Sequence, residues 1–272
     1  MKKFLGVLVG IAVLLTACGT SVDESEQKKI VVGFGVGTYE EQFRQAILPI
    51  LEDQGYEIEI KTLAHNNYVN PAMQEGSIDV SIFQSTAYME AVNKELGIEM
   101  TALAFVPSAP QSMHSVKHDS IDAVQDGTVV ALPDDPVNQE RAVRVLEGLG
   151  WVSVDQDAGT IDFDIHQVHP AAYEIKFEVL DPAQILSSLP DVDYGIVNGN
   201  YIADSNRKIT DGIAIEETPK EHRIIVSILK ENEETQWAKD IKAAYESVAF
   251  EEYILAQEKY DGFILPEAWA NN

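Results

Sequence analysis

Cysteine is almost missing from this 272-residue chain: Cys18 is the only one. With no second thiol there is no disulfide within the chain, so the fold must be held by its core. Long apolar runs are also missing. The longest, Phe4 to Leu15, is broken only by Gly6 and Gly10, and it falls short of the roughly 20 residues that cross a hydrocarbon layer. Basic residues are few, 19 against 45 acidic ones, for a formal charge of −26. Such a surface repels nucleic acid and anionic headgroups. Catalytic signatures are scarce as well. There is no Walker loop and no nucleophile elbow. The stretch Gly33-Phe34-Gly35-Val36-Gly37-Thr38 has Thr38 where a dinucleotide loop needs its third glycine. His166 and His169, with Asp162 and Asp164, are the nearest approach to a metal set, and the other histidines are scattered.

What is present begins at the amino end. Met1-Lys2-Lys3 is cationic, the apolar run follows, and Leu15-Thr16-Ala17-Cys18 fits a lipoprotein cleavage site. Residues 1–18 therefore read as a secretory signal rather than a membrane span. Acyl chains on Cys18 would anchor the protein at a membrane surface without spanning it. Residues 19–29 are polar and read as a tether. About 250 residues remain, enough for one large domain or two lobes.

Those residues alternate strand and helix. Ile30 to Val36, Tyr56 to Ile60, Ile78 to Phe83 and Met100 to Val106 read as strands. Thr38 with Glu41 reads as a capping box opening a helix to Leu51 that Pro49 kinks or shortens. Thr86 to Leu96 reads as a helix closed by Gly97. Pro107 to Pro110 breaks the rhythm, and a second series follows: strands at Thr128 to Leu132, Glu174 to Leu180 and Tyr194 to Val197, with helices begun by Asp135-Pro136 and Asp181-Pro182. Ile224 to Leu229 is a last strand, and Trp237, Ile241, Ala244, Tyr245 and Val248 mark one long amphipathic helix. The pattern predicts an α/β fold with parallel sheets. It predicts two lobes, residues 30–111 with 222–272 and residues 112–221, flanking a cleft. Ligands of such sheets bind beyond the carboxyl ends of the strands.

Pro133 to Arg141 is the most informative internal stretch, a strand end running into a helix. Asn138 and Arg141 share a helix face, near an N-terminus that favours anions. Arginine's fork matches a carboxylate in two parallel bonds. Both readings stand at this point: a carboxylate clamp, or a surface arginine paired with Glu140 or Asp135. Asn198, at a strand end, offers a polar contact or a plain turn. Tyr68, Phe83 and Phe105 offer an apolar pocket wall or core packing.

Three segments carry a resemblance: Ile78-Asp79-Val80-Ser81-Ile82-Phe83-Gln84 with Tyr88; Val130 to Asn138 with Arg141; and Ile196-Val197-Asn198-Gly199-Asn200-Tyr201. With them the chain resembles the NlpA/MetQ family of methionine-binding ABC transporter lipoproteins, over nearly all of its length. The resemblance implies a type II periplasmic binding protein fold and a lipid-anchored, extracytoplasmic protein with no enzyme activity and no cofactor. It implies a monomer that hands an amino-acid-like ligand to a permease and ATPase. It makes Arg141 the holder of the ligand carboxylate, with Asn138 and Asn198 at the polar end. Tyr68, Phe83 and Phe105 fall near the ligand side chain. The chain departs from the family at Ser85, at Pro107 and at Arg223, where an added cation would suit a second anionic group or a dipeptide's C-terminus. The rival readings are a binder of another organic anion or heterocycle, a surface metal hydrolase using His166, His169 and Asp164, and an adhesion lipoprotein.

Overall fold

A computed structural model describes residues 28–35, 37–205 and 207–271. The signal sequence and Cys18 lie outside them. Two five-stranded sheets organise the chain. The first takes β1 (Lys29–Phe34), β2 (Glu57–Thr62), β3 (Val80–Ser85), β4 (Met100–Phe105) and β12 (Ile224–Leu229), in the order β2-β1-β3-β12-β4. The second takes β5 (Ser112–His114), β6 (Val129–Pro133), β9 (Lys176–Leu180), β10 (Tyr194–Val197) and β11 (Ala214–Ile215), in the order β11-β5-β10-β6-β9. A separate ribbon, β7 (Val152–Val154) against β8 (Val168–Pro170), has no counterpart in the sequence reading.

The sheets are mixed, not parallel throughout. β1 runs parallel to β2 and β3, and β6 runs parallel to β9 and β10. β12 is antiparallel to β3 and β4, and β5 is antiparallel to β10 and β11. The two crossings explain this. The parallel strands run toward the gap between the sheets. A strand that arrives from the other sheet must start at the gap and run away from it. β5 follows the first crossing and β12 the second.

Helices cover the sheets: α1 (Tyr39–Gln42), α2 (Leu48–Asp53), α3 (Val69–Gln74), α4 (Thr86–Leu96), α5 (Pro136–Gly148), α6 (Pro182–Ser188), α7 (Gly199–Asp204), α8 (Gln236–Tyr245) and α9 (Val248–Leu255). Strand alternation divides the core between them. In β1, Ile30, Val32 and Phe34 pack into the cluster that holds Phe43, Trp237, Tyr245 and Phe250. In β3, Phe83 faces the other way, with Val69, Met73, Met89 and Ile225. In β10, Tyr194 and Ile196 pack with Val143, Leu146 and Trp151, while Val197 faces Ile185.

Local chemistry sets the helix ends. Asp135 caps α5, its carboxylate accepting the Asn138 N–H at 2.9 Å, with Pro136 at the first helical position. Asp181 caps α6 in the same way. Gly97 ends α4 in the left-handed region, at φ 65°. Two expectations are corrected. Thr38 makes no side-chain cap bond. The expected single C-terminal helix breaks between Tyr245 and Val248, because Ser247 takes the N–H of Phe250 and starts α9 afresh. Between α1 and α2, Phe43–Ile47 form a π-helical turn. Pro49 has no N–H to offer and its ring crowds the carbonyl one turn back, which the wider turn relieves.

Candidate ligand-binding cleft

The strand ends converge on a cavity of about 230 Å³. From the first sheet come Tyr39 beyond β1, the 64–67 loop beyond β2, Phe83 to Ser85 closing β3, and Ile224 opening β12. From the second come Asp134 and Asp135 beyond β6, Asp181 to Ala183 beyond β9, and Asn198 to Tyr201 beyond β10. Ala109 of the first crossing closes one side. Every contributor but the crossing and Ile224 thus follows or ends a strand at its carboxyl end, as open α/β sheets dispose their ligand sites.

Arg141 lies in the wall of this cavity, one turn into α5, and is only 6% exposed. Its guanidinium is held from behind. Nε donates to Glu216 Oε1 at 2.8 Å, and Nη2 donates to Glu216 Oε2 at 2.6 Å. Nη1 donates to Asn138 Oδ1 at 2.9 Å. Glu216 is itself buried. Its Oε2 also accepts the Gln111 N–H at 2.9 Å and the Thr218 hydroxyl at 2.7 Å. Burial alone would push the Glu216 carboxyl up. The adjacent guanidinium and these donors outweigh it and hold the group down at about 2. The same pairing raises Arg141 against the opposing effect of burial.

A guanidinium has five N–H groups. Three are used in these bonds. One N–H on each of Nη1 and Nη2 is left, one donor for each oxygen of a carboxylate. Asn138 serves this fork. Its Nδ2 lies 3.1 and 3.0 Å from the two Asp135 oxygens, so its Oδ1 is turned to Arg141. Asn198 also lines the cavity, and its Oδ1 accepts from Gln111 Nε2 at 2.8 Å. Gln111 Nε2 further bonds the Asn138 carbonyl at 3.0 Å, which ties the first crossing to two segments of the second sheet's wall.

The remaining charged lining is acidic: Asp134, Asp135 and Asp181. Burial raises the Asp135 carboxyl, opposed by the bonds from Asn138. Aromatic lining comes from Tyr39, Phe83, Tyr88 and Tyr201. Burial pushes Tyr39 and Tyr88 up and lifts Tyr201 to about 12, so all three hydroxyls stay neutral donors at ordinary pH. Gln84, although it reaches the cavity, is fixed in a buried chain with Asn70 and Ser227.

Four predicted residues thus meet in the cavity: Arg141, Asn138, Asn198 and Phe83. Three lie elsewhere. Tyr68 is 53% exposed and packs edge-on against His65, because the tight turn at Asn66–Tyr68 sends Asn66 and Asn67 to the cavity instead. Phe105 is half-buried under the Lys220 ammonium, 5.6 Å from the ring centre. Arg223 pairs with Glu267 at 2.9 Å. Ile224, the next residue and the first of β12, lines the cavity in its place, while Arg223 ends the preceding tight turn Lys220–His222. The added cation therefore does not enter the cavity. Of the hydrolase set, Asp164 caps a turn at the His166 N–H, and His169 pairs with Asp155 at 2.8 Å. Among the described residues no group of three His, Cys, Asp or Glu side chains could hold a metal ion.

Glu216, Gln111, Tyr39, Tyr201 and Asp181 were not singled out as site residues from the sequence. A signal did exist for the glycines. A Cβ at Gly35 would land on Asn66 Oδ1, and one at Gly37 would stand 2.7 Å from Asn200 Nδ2. The glycine-rich stretch admits close neighbours, one of them across the cavity.

The family profile of the NlpA lipoprotein matches residues 30–268. The D-methionine-binding lipoprotein MetQ of Escherichia coli (strain K12) is 27% identical over 263 residues, covering 95% of this chain and 94% of that protein. The methionine-binding lipoprotein MetQ of Bacillus subtilis (strain 168) is 26% identical over 274 residues, covering 98% and 99%. Among solved structures, that of the methionine-binding protein MetQ superposes with a TM-score of 0.78 at 25% identity, covering 86% of this chain and 96% of that one. A nutrient-binding protein from Burkholderia cenocepacia bound to methionine superposes at 0.81 with 24% identity, covering 88% and 99%, a likeness of fold. The fold is the two-lobed fold of periplasmic binding proteins. The chain belongs to the NlpA lipoprotein family.

Proposed function

We propose that this protein is the substrate-binding lipoprotein of an ABC importer and that it captures methionine, or a closely related small amino acid, in the cleft between its two sheets. One observation carries the reading: a buried arginine, fixed from behind, with two N–H groups left at the wall of an interlobe cavity. Arg141 meets the ligand carboxylate, Asn138 keeps the fork aimed, and Asn198 and the acidic lining meet the ammonium. Phe83 and Tyr88, whose rings stack edge-on 6.0 Å apart, bound the side chain. Capture proceeds by closure of the lobes, which removes water and strengthens the polar contacts, with no covalent chemistry. The names of the Escherichia coli and Bacillus subtilis relatives support this ligand class.

The cavity narrows the class further. Among the described residues its single arginine is already balanced by Glu216, and no lysine lines it. A ligand with a second acidic group finds no second guanidinium or ammonium among the described lining residues, which favours a neutral zwitterion over the diacids and larger anions of the rival reading. Lipid on Cys18 keeps the protein on the outer face of a membrane, where it meets the permease and ATPase. Among the described residues no helix is long and apolar enough to cross a membrane.

Titration calorimetry of both methionine enantiomers, other amino acids and Met-containing dipeptides tests the assignment. Methionine or a near relative should bind with 1:1 stoichiometry. If no amino acid or dipeptide binds while some other small molecule does, the assignment is lost.

A further inference from the structure

The ion pair behind the cleft has a consequence for selectivity. Arg141 carries one positive charge at the cavity wall, and Glu216 carries one negative charge on the Nε and Nη2 edge of the same guanidinium. Asp134, Asp135 and Asp181 are the other carboxylates of the lining, and His65 is its one imidazole among the described residues. The cavity therefore has a fork for a carboxylate but no net positive charge to attract one. A carboxylate arriving alone gains two hydrogen bonds and meets the field of a second carboxylate one guanidinium away. A carboxylate that brings its own ammonium is compensated by the acidic lining.

We propose that Glu216 is the specificity-determining counter-ion of this site, and that it makes the cleft accept zwitterions and refuse simple anions. The inference rests on the amino-acid reading above and names the residue that enforces it. Glu216 acts through Arg141, so it is a positioning residue with an electrostatic duty. Its buried bidentate geometry, with the Gln111 N–H and the Thr218 hydroxyl as further donors, keeps the charge in place when a ligand enters.

The test compares methionine with 4-(methylsulfanyl)butanoate, which has the same side chain and carboxylate but no ammonium. Dissociation constants are measured by calorimetry for the wild type, Glu216→Gln and Glu216→Asp. The wild type should prefer methionine by about a hundredfold or more, and Glu216→Gln should narrow that preference by about tenfold. Glu216→Asp keeps the charge and should keep the preference within about threefold, even where both ligands bind more weakly. A misplaced fork alone would weaken both ligands equally, since both present the same carboxylate, so the ratio isolates the charge. An unchanged ratio in folded Glu216→Gln overturns the proposal. So does a wild type that binds the two ligands equally, and that measurement does not depend on any variant folding. If the wild type binds methionine but fails either comparison, only this inference falls. If it binds no amino acid at all, the amino-acid reading falls and takes this one with it.

Discussion

Glu216 and Arg141 come from chain positions 75 residues apart and meet in a two-bond fork with both side chains buried, the Nη2 to Oε2 distance being 2.6 Å. The link joins α5 of the second sheet to the start of the second crossing. It fixes Arg141, the proposed carboxylate partner, to the segment that leads the chain back to the first sheet.

Truncating Arg141 should damage both ligand binding and stability. Arg141→Ala leaves a ligand carboxylate unpaired on closure, a loss of roughly 2–5 kcal/mol, or about 30- to 4,000-fold in affinity. It also strands the buried Glu216 carboxylate, at a cost of about 3 kcal/mol or more to the unliganded fold. Calorimetry reads the first effect and urea unfolding the second. A variant as tight and as stable as the wild type would remove the residue from the site.

Acid should unfold the protein partly through Glu216. Its carboxyl sits at about 2 in the folded chain, below its ordinary value of 4.5. A depressed carboxyl contributes stability that is complete above the unfolded value and is lost as pH falls toward the folded one. The contribution is about 3 kcal/mol, and it fades between roughly pH 5 and pH 2. Urea midpoints measured across that window should fall more steeply for the wild type than for Glu216→Gln. Parallel curves would show that the carboxyl is not held down by its partner.

Much of this was legible in the sequence because it rests on local chemistry. Asp135-Pro136 and Asp181-Pro182 announce helix starts, and Gly97 a helix end. The apolar run Tyr194 to Val197 announces the buried strand β10, and the alternating Ile78, Val80 and Ile82 announce β3. Arg141 and Asn138 were legible because a strand end, a cap and a helix turn place them together. Glu216 was not, since its partner is far away in sequence and nothing near it signals burial. The strand β12 was read with its bounds, but its antiparallel direction was not, and β5 was missed altogether, because direction is set by the crossings and not by residue pattern. Arg223 shows the limit of a one-residue alignment: it stands just before β12, whose first residue Ile224 reaches the cavity while the cation meets Glu267.

Gly37 should be intolerant of any side chain. Its φ of 136° is a conformation that side chains rarely adopt, and a Cβ there would stand 2.7 Å from Asn200 Nδ2 across the cavity. Gly37→Ala should lower ligand affinity by at least about tenfold and stability by about 1–3 kcal/mol. Small-angle scattering should show the liganded variant more open than the liganded wild type. Equal affinity and equal compaction would mean that this contact does not govern closure.

Asp135 joins a structural duty to a functional one, and the two can be separated. Its carboxylate caps α5 through the Asn138 N–H and also orients the Asn138 side chain, which in turn bonds Arg141. Asp135→Ser retains a capping oxygen but has no second oxygen for Nδ2. Its stability should stay within about 0.5 kcal/mol of the wild type, whereas Asp135→Ala should lose about 1 kcal/mol. Both variants release Asn138, so both should weaken methionine binding by a similar factor, about three- to tenfold. Paired unfolding and calorimetry curves make the comparison. If affinity followed stability, with Asp135→Ser binding like the wild type, the carboxylate would be a cap alone and Asn138 would aim the fork without it.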